Sequence, residues 1–287
     1  MQTGLVLEGG GMRGMFTCGI TDVLMEEGLI SAFKGVVGVS AGAAFGCNIK
    51  SRQAGRAIRY NCKYMGDPRY MSFAHWLHTG SLFHNDFVYD TVPHLLDPFD
   101  WAAYHANPLA FHLVCTDIDT LRPVYHVLDD RDPQRAMQWI RATASLPLAA
   151  QPVDIDGRRL MDGGLSDSIP LRYFRQQGYG RNLVVLTQPR GYRKRLGRAG
   201  RLWRLLQIHR PGVARLMMRR PAMYNAQLDY LSEQEALGDT LILCPSRPLS
   251  ISRLATDPVQ LRRVYDEGRT LAQTMLPRIR QFLSREE

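Results

Sequence analysis

Cysteine is scarce in this 287-residue chain, which has five: Cys18, Cys47, Cys62, Cys115 and Cys244. The number is odd, the spacing is wide and no C-x-x-C pair occurs. That argues against a disulfide framework and a zinc site, and for reduced thiols in a cytosolic protein. No run approaches the roughly 18 apolar residues needed to span a bilayer. No basic segment precedes the strand-like run that starts at Thr3, so no secretory leader is expected. Acidic residues are missing from one stretch altogether: between Ser168 and Leu228 there are fourteen Arg or Lys and no Asp or Glu. The whole chain has 36 basic and 27 acidic residues, a net charge of +9, so everything outside that stretch carries a net −5. The excess positive charge belongs to one segment, which suggests a local anionic partner. What remains is ordinary: 45% apolar and 22% charged residues, enough for one large domain or a domain with an extension, soluble and cytoplasmic.

The chain is organised around Phe33 to Gly46. Val36–Val39 reads as a buried parallel strand, and Ser40 follows between Gly38 and Gly42, with small residues as if a helix begins at once. This is the G-x-S-x-G elbow, a turn too tight for side chains at its flanks, which lifts the serine oxygen out at the strand's end. A strand ahead of it, Thr3–Glu8, runs into Gly9-Gly10-Gly11-Met12-Arg13-Gly14 and then a helical pattern from Met15 to Gly28. Strand, glycine loop, helix, strand, elbow, helix is a βαβ unit with function at the loop ends. Gly9, Gly11 and Gly14 also satisfy G-x-G-x-x-G, but a dinucleotide fold wants an acidic residue at the end of the second strand, and Ser40 stands there. The glycines fit better as exposed N–H groups beside the elbow, as an oxyanion hole requires.

Ala43–Tyr64 reads as helical, with Arg52, Arg56 and Arg59 on its wet face. Met71–Pro108 is irregular and aromatic; His75, His78 and His84 lie in it without a carboxylate motif, so core or surface histidines fit better than a metal site. Its aromatics suit a core, or a lid or acyl-chain groove. Strands are expected at 110–117 and 122–127, a helix at 132–145, and a hairpin turning on Asp156-Gly157 that delivers Asp162-Gly163-Gly164. A helix over 170–177 and a buried strand over 182–187 follow. Beyond Pro189 the composition shifts, giving expected units of 1–190 and 191–287. The second holds arginine-dense helical segments, a strand at 240–244 and a long helix from Asp257 to about Arg285.

A serine nucleophile needs a base. After Asp162 the chain has one histidine, His209, inside the arginine segment, where neighbouring cations would depress its basicity. Asp162, at a strand end before two glycines, is the better candidate. Desolvation would raise its pKa toward that of a useful base, and backbone donors would stabilise the oxyanion. Such a dyad suits esters over amides, because alkoxide leaves more readily.

Gly9–Gly14, Gly38-Val-Ser-Ala-Gly42 and Asp162-Gly-Gly164, in this order, resemble the three motifs of the patatin-like phospholipase family, and Ala142-Thr-Ala-Ser-Leu-Pro147 is similar to the segment that precedes its Asp motif. The resemblance spans roughly Thr3 to Thr187. It implies an α/β fold with three α/β/α layers around a mainly parallel sheet, and a lipid acyl hydrolase in which Ser40 attacks and Asp162 is the base. The loop Gly9, Gly10, Gly11, Met12, Arg13 and Gly14 would supply the oxyanion hole, with Arg13 at the family's basic position. No metal or organic cofactor is implied. Alternatives on the same scaffold are an acyltransferase, a thioesterase or a non-catalytic membrane-docking module. For the arginine-rich stretch 190–220 the readings are a solvated helical face, or peripheral contact with an anionic membrane in which Trp203, Leu205, Leu206 and Ile208 enter the headgroup layer. Sequence-specific nucleic-acid binding lacks any recognisable motif.

Overall fold

The computed structural model describes residues 1–196 and 210–284. Trp203, Leu205, Leu206, Ile208 and His209 lie outside the described residues. Among the described residues, one eight-stranded sheet runs through the molecule. In its middle lie β1 (Thr3–Leu7), β2 (Gly35–Val39) and β3 (Ala110–Asp117), all parallel, and β7 (Arg181–Val185) and β8 (Thr240–Leu243) extend the parallel run from the other edge of β1. The antiparallel strands β4 (Arg122–Val127), β5 (Val153–Ile155) and β6 (Arg158–Asp162) gather at the β3 end.

The central strands are apolar on both faces because both are covered. Leu5 and Leu7 of β1 face one core, with α1 (Gly14–Glu26), α2 (Ala41–Lys50), α3 (Arg56–Tyr64), α6 (Pro133–Ala144) and the long last helix (Pro258–Leu283). Val6 between them faces the other core, with α7 (Leu171–Gln176) and the helix Pro211–Ala236. The molecule is thus the expected three-layer α/β/α sandwich. Numbered in chain order, α4 is Phe73–Thr79, α5 Trp101–Ala106, α8 Pro211–Ala236 and α9 Pro258–Leu283.

The chain beyond residue 190 is built into this frame. β8 is a sheet strand, and α9 lies so close to α1 that a Cβ on Gly19 would meet Tyr265 O at 2.1 Å, and one on Gly268 would meet Phe16 O at 2.1 Å. Tyr265 donates its hydroxyl to the buried Asp22 at 2.7 Å, and Arg269 and Arg280 pair with Glu26 and Glu27.

Three expectations change. The helix expected over 43–64 breaks into α2 and α3, where Arg52 (φ 58°) and Gly55 (φ 74°) take left-handed conformations. Arg56 is buried instead of solvated. It donates to Asp97 O at 2.6 and 3.1 Å and to Asn48 Oδ1 at 3.1 Å, so its charge is satisfied inside. The irregular aromatic stretch holds α4, a π-helix over Phe87–Leu96 that tolerates Pro93, and α5.

Candidate active site

Strand β3 is the rule along which the site is assembled. β2 pairs with its first half, Val39 standing opposite Val114. β4 pairs along His112–Asp117 and so takes the other edge. β6, whose Asp162 stands opposite Cys115 as Val124 of β4 also does, must share the edge that β2 uses. β2 runs parallel to β3 and β6 antiparallel, so they end head to head between Val114 and Cys115. Ser40 is the residue after β2 and Asp162 is the last of β6. Sheet register alone brings the two to one point.

Each is then held by the last turn of α6 or the residue just after it. Ser40 has φ 55° and ψ −127°, a conformation that costs a non-glycine residue about 1–3 kcal/mol. Its N–H donates to Thr143 Oγ1 at 3.0 Å, and the Thr143 hydroxyl donates to Val114 O at 2.5 Å, both out of water. The Asp162 N–H donates to Ser145 O at 3.0 Å, and Thr116 Oγ1 donates to Asp162 O at 2.8 Å. Gly42 closes the elbow: a Cβ there would lie 2.5 Å from Leu7 O, so α2 starts directly beneath β1 only without a side chain. Gly38 and Gly163 are pressed as closely, against Ala43 and Val114 O.

Asp162 is 1% exposed and Ser40 7%. Oδ1 of Asp162 accepts the Gly164 N–H at 2.8 Å, while Oδ2 has no hydrogen bond of full geometry among the described residues. Burial pushes the carboxyl above the usual carboxylate range. The Arg220 charge, the nearby Ser40 hydroxyl, the Gly164 N–H and Arg253 pull it back down.

Gly9 and Gly10 follow β1, Gly11–Arg13 form one tight turn, and Gly14 opens α1. Gly9 lies against Ser40, where a Cβ would come within 2.7 Å of the serine Cβ. The expectation that the whole loop offers free N–H groups narrows here. Met12 N–H already donates to Arg253 O at 3.1 Å, and the Gly14 N–H to the Gly11 and Met12 carbonyls. Among the described residues the N–H groups of Gly9, Gly10 and Gly11 donate to no acceptor, as an oxyanion site needs.

Ser40 stands where two pockets meet. One is an apolar slot running inward between α2, α3, α6 and the π-helix, walled by Phe45, Tyr60, Tyr89, Val92, Met137 and Ile140 among others. It is narrow, with a cavity volume of about 100 Å³. The other is small and polar, lined by Glu8, Gly9, Gly10, Gly11, Arg13, Ser40, Asp162 and Gly164, and also by Lys194, Arg220 and Arg253. Glu8 is buried at the end of β1, accepting from the Thr187 N–H at 2.6 Å and the Tyr224 hydroxyl at 2.7 Å.

Sequence reasoning missed Glu8, Thr143, Lys194, Arg220 and Arg253. For Thr143 there was a signal, since its segment was singled out, but not its work under Ser40. The histidines once weighed as ligands are occupied otherwise: His75 stacks on His84 with ring centroids 3.7 Å apart, and His84 Nε2 lies 3.1 Å from Ser72 Oγ. Among the described residues no three His, Cys, Asp or Glu are grouped as a metal ion would require.

Fold and site together define an α/β sandwich protein whose elbow serine and strand-end carboxylate share one glycine-lined pocket. The patatin-like phospholipase family model matches residues 5–175, well over half the chain, and the chain belongs to that family. A second model, a domain of unknown function (DUF6363), matches residues 210–284. Among curated relatives, the uncharacterized protein YjjU of Escherichia coli (strain K12) is 30% identical over 192 residues, covering 64% of this chain and 52% of its own. The uncharacterized NTE family protein Mb1092c of Mycobacterium bovis is 26% identical over 186 residues, covering 59% and 44%. The chain thus spans about half the length of the curated relatives it matches. VipD from Legionella pneumophila, a solved structure, aligns with a TM-score of 0.49 at 14% identity, over 96% of this chain and 67% of that one.

Proposed function

We propose that the protein is a lipid acyl hydrolase that cleaves carboxylic esters with a Ser40–Asp162 dyad. The observation that carries this reading is the head-to-head meeting of β2 and β6 on one edge of β3, at the mouth of an apolar slot. The acyl chain lies in the slot and its carbonyl stands over Ser40. Asp162, its carboxyl raised by burial, takes the serine proton as the oxygen attacks. The free N–H groups of Gly9, Gly10 and Gly11 meet the oxyanion, aided by the positive end of α2. Asp162 then gives the proton to the leaving alkoxide and, in the second half, activates water on the acyl-enzyme. No step asks for a metal or organic cofactor. The chain would work as a cytoplasmic enzyme with a catalytic unit over 1–190 and a largely helical unit over 191–287. No helix among the described residues is long and apolar enough to cross a membrane.

Within the arginine-rich stretch, Arg190 and Arg193 pair with Glu235 and Asp229, and Arg210 donates to Gln151. Arg195, Arg215 and Arg219 are exposed and supply charge for peripheral contact with an anionic leaflet.

The test is incubation with defined phospholipids, monoacylglycerols and acyl thioesters, with products identified by mass. Free fatty acid that disappears in Ser40→Ala supports the hydrolase. Transfer of the acyl group to an added alcohol in place of water would favour the acyltransferase reading.

A further inference from the structure

The polar pocket beside Ser40 carries more positive charge than its own residues neutralise. Four cations line it, Arg13, Lys194, Arg220 and Arg253, against two carboxylates, Glu8 and Asp162. Among the described residues none of the four makes an ion pair, whereas Arg175, Arg190 and Arg193, from the acid-free segment that also holds Lys194 and Arg220, all do. Nε of Arg13 and Nε of Arg220 are out of solvent contact with no hydrogen-bond partner among the described residues. Among the described residues the Lys194 ammonium rests on the face of Tyr224, 4.1 Å from the ring centroid. Burial and the neighbouring Arg220 push that ammonium down to about 7, and burial likewise lowers Arg13 and Arg220. Arg13, Lys194 and Arg220 are partly buried and Arg253 is exposed; a partly buried cation without a partner is costly unless an anion completes it.

We infer that this pocket is a phosphate subsite, formed mainly by Lys194, Arg220 and Arg253, which holds the phosphate of a glycerol-based lipid whose acyl ester lies over Ser40. Two features of the site favour a phosphate joined to the scissile ester over a free ion. The pocket and the apolar slot share Gly11, Ser40, Leu146 and Arg253, so one ligand can fill both with its ester at the junction. Glycerol spaces ester and phosphate by only a few bonds. Arginine forks suit phosphate oxygens, and the partly buried lysine adds a point charge. All three cations come from beyond residue 175, where the patatin-like match ends, and Arg220 and Arg253 lie within the domain of unknown function. That part of the chain would therefore select the substrate, and the reading rests on the hydrolase proposal above.

The experiment measures binding by calorimetry to the full-length Ser40→Ala protein, which does not turn over, with monomeric 1-oleoyl-lysophosphatidate, 1-oleoylglycerol and inorganic phosphate. Lysophosphatidate is expected to bind at least 10-fold tighter than the neutral lipid. Lys194→Met, which keeps the apolar contact with Tyr224, and Arg220→Gln should each abolish most of that preference, while Arg172→Gln, exposed on α7 and outside the pocket lining, should leave it intact. Equal affinity for the two lipids, or a preference that survives both pocket variants, would overturn the subsite. Inorganic phosphate binding as tightly as lysophosphatidate would assign the cations to a free anion and overturn the lipid reading. Because turnover is not measured, a preference seen on Ser40→Ala beside a parent protein inactive on every ester would keep the subsite and reject the hydrolase.

Discussion

Thr143 gives the sharpest mechanical test of the site. Its hydroxyl is the link between Val114 O and the Ser40 N–H, and it is fully buried. Thr143→Val keeps the shape and removes both bonds. The Ser40 N–H is then buried without an acceptor, a cost of about 1–3 kcal/mol. The strain in the Ser40 backbone, also about 1–3 kcal/mol, loses the bond that opposes its release. The elbow relaxes, and a shift of reacting atoms on the order of 1 Å lowers turnover about 100-fold. Thr143→Ser retains both bonds and gives up one buried methyl, about 1 kcal/mol. Denaturant unfolding and ester turnover on both variants make the assay. The valine variant should lose both stability and most of its kcat, and the serine variant should keep kcat within a few-fold. A fully active valine variant, or a serine variant as poor as the valine one, would refute the claim that this hydroxyl fixes the nucleophile.

Other outcomes follow from the same structure. Asp167 is buried, held by Tyr125 and Gln227, and its carboxyl is raised to about 6, mainly by burial. Its contribution to stability is present below the unfolded pKa near 3.9 and is lost as pH rises through 6. Asp167→Asn should therefore gain about 2 kcal/mol relative to the parent between pH 4 and pH 8 in paired denaturant melts, and a pH-independent difference would contradict it. Gly42→Ala places a methyl 2.5 Å from Leu7 O, a backbone atom that cannot swing away. That variant should fail to yield folded protein, as read by a thermal melt. Vesicle binding through the arginine-rich stretch should weaken from low to high salt, because exposed charges are screened. Sedimentation with anionic vesicles that is indifferent to salt would remove the membrane contact.

What could be read in advance followed how local each determinant is. The elbow was legible because a turn that buries backbone against backbone leaves glycine as its written trace, at Gly38 and Gly42. Asp162 was legible by elimination and by its strand-end glycines. Arg56 was misplaced because its partner Asp97 lies 41 positions away, and a helical wheel cannot see a distant carbonyl. The cation pocket was invisible for the same reason. Lys194, Arg220 and Arg253 lie on a loop, a helix and another loop, and only the sheet order, with β7 beside β1 and β8 beyond it, carries them to Ser40. Register did the rest: no periodicity in the sequence states that Val39 and Asp162 stand opposite adjacent residues of β3.

The most direct measurement of the central claim is fluorophosphonate labelling, with the adduct located by peptide mass, on the parent, Ser40→Ala and Asp162→Asn proteins. The account predicts a single adduct on Ser40, none in the alanine variant, and labelling slowed by orders of magnitude in a folded asparagine variant. An adduct on another residue, or Asp162→Asn labelled as fast as the parent, would contradict it.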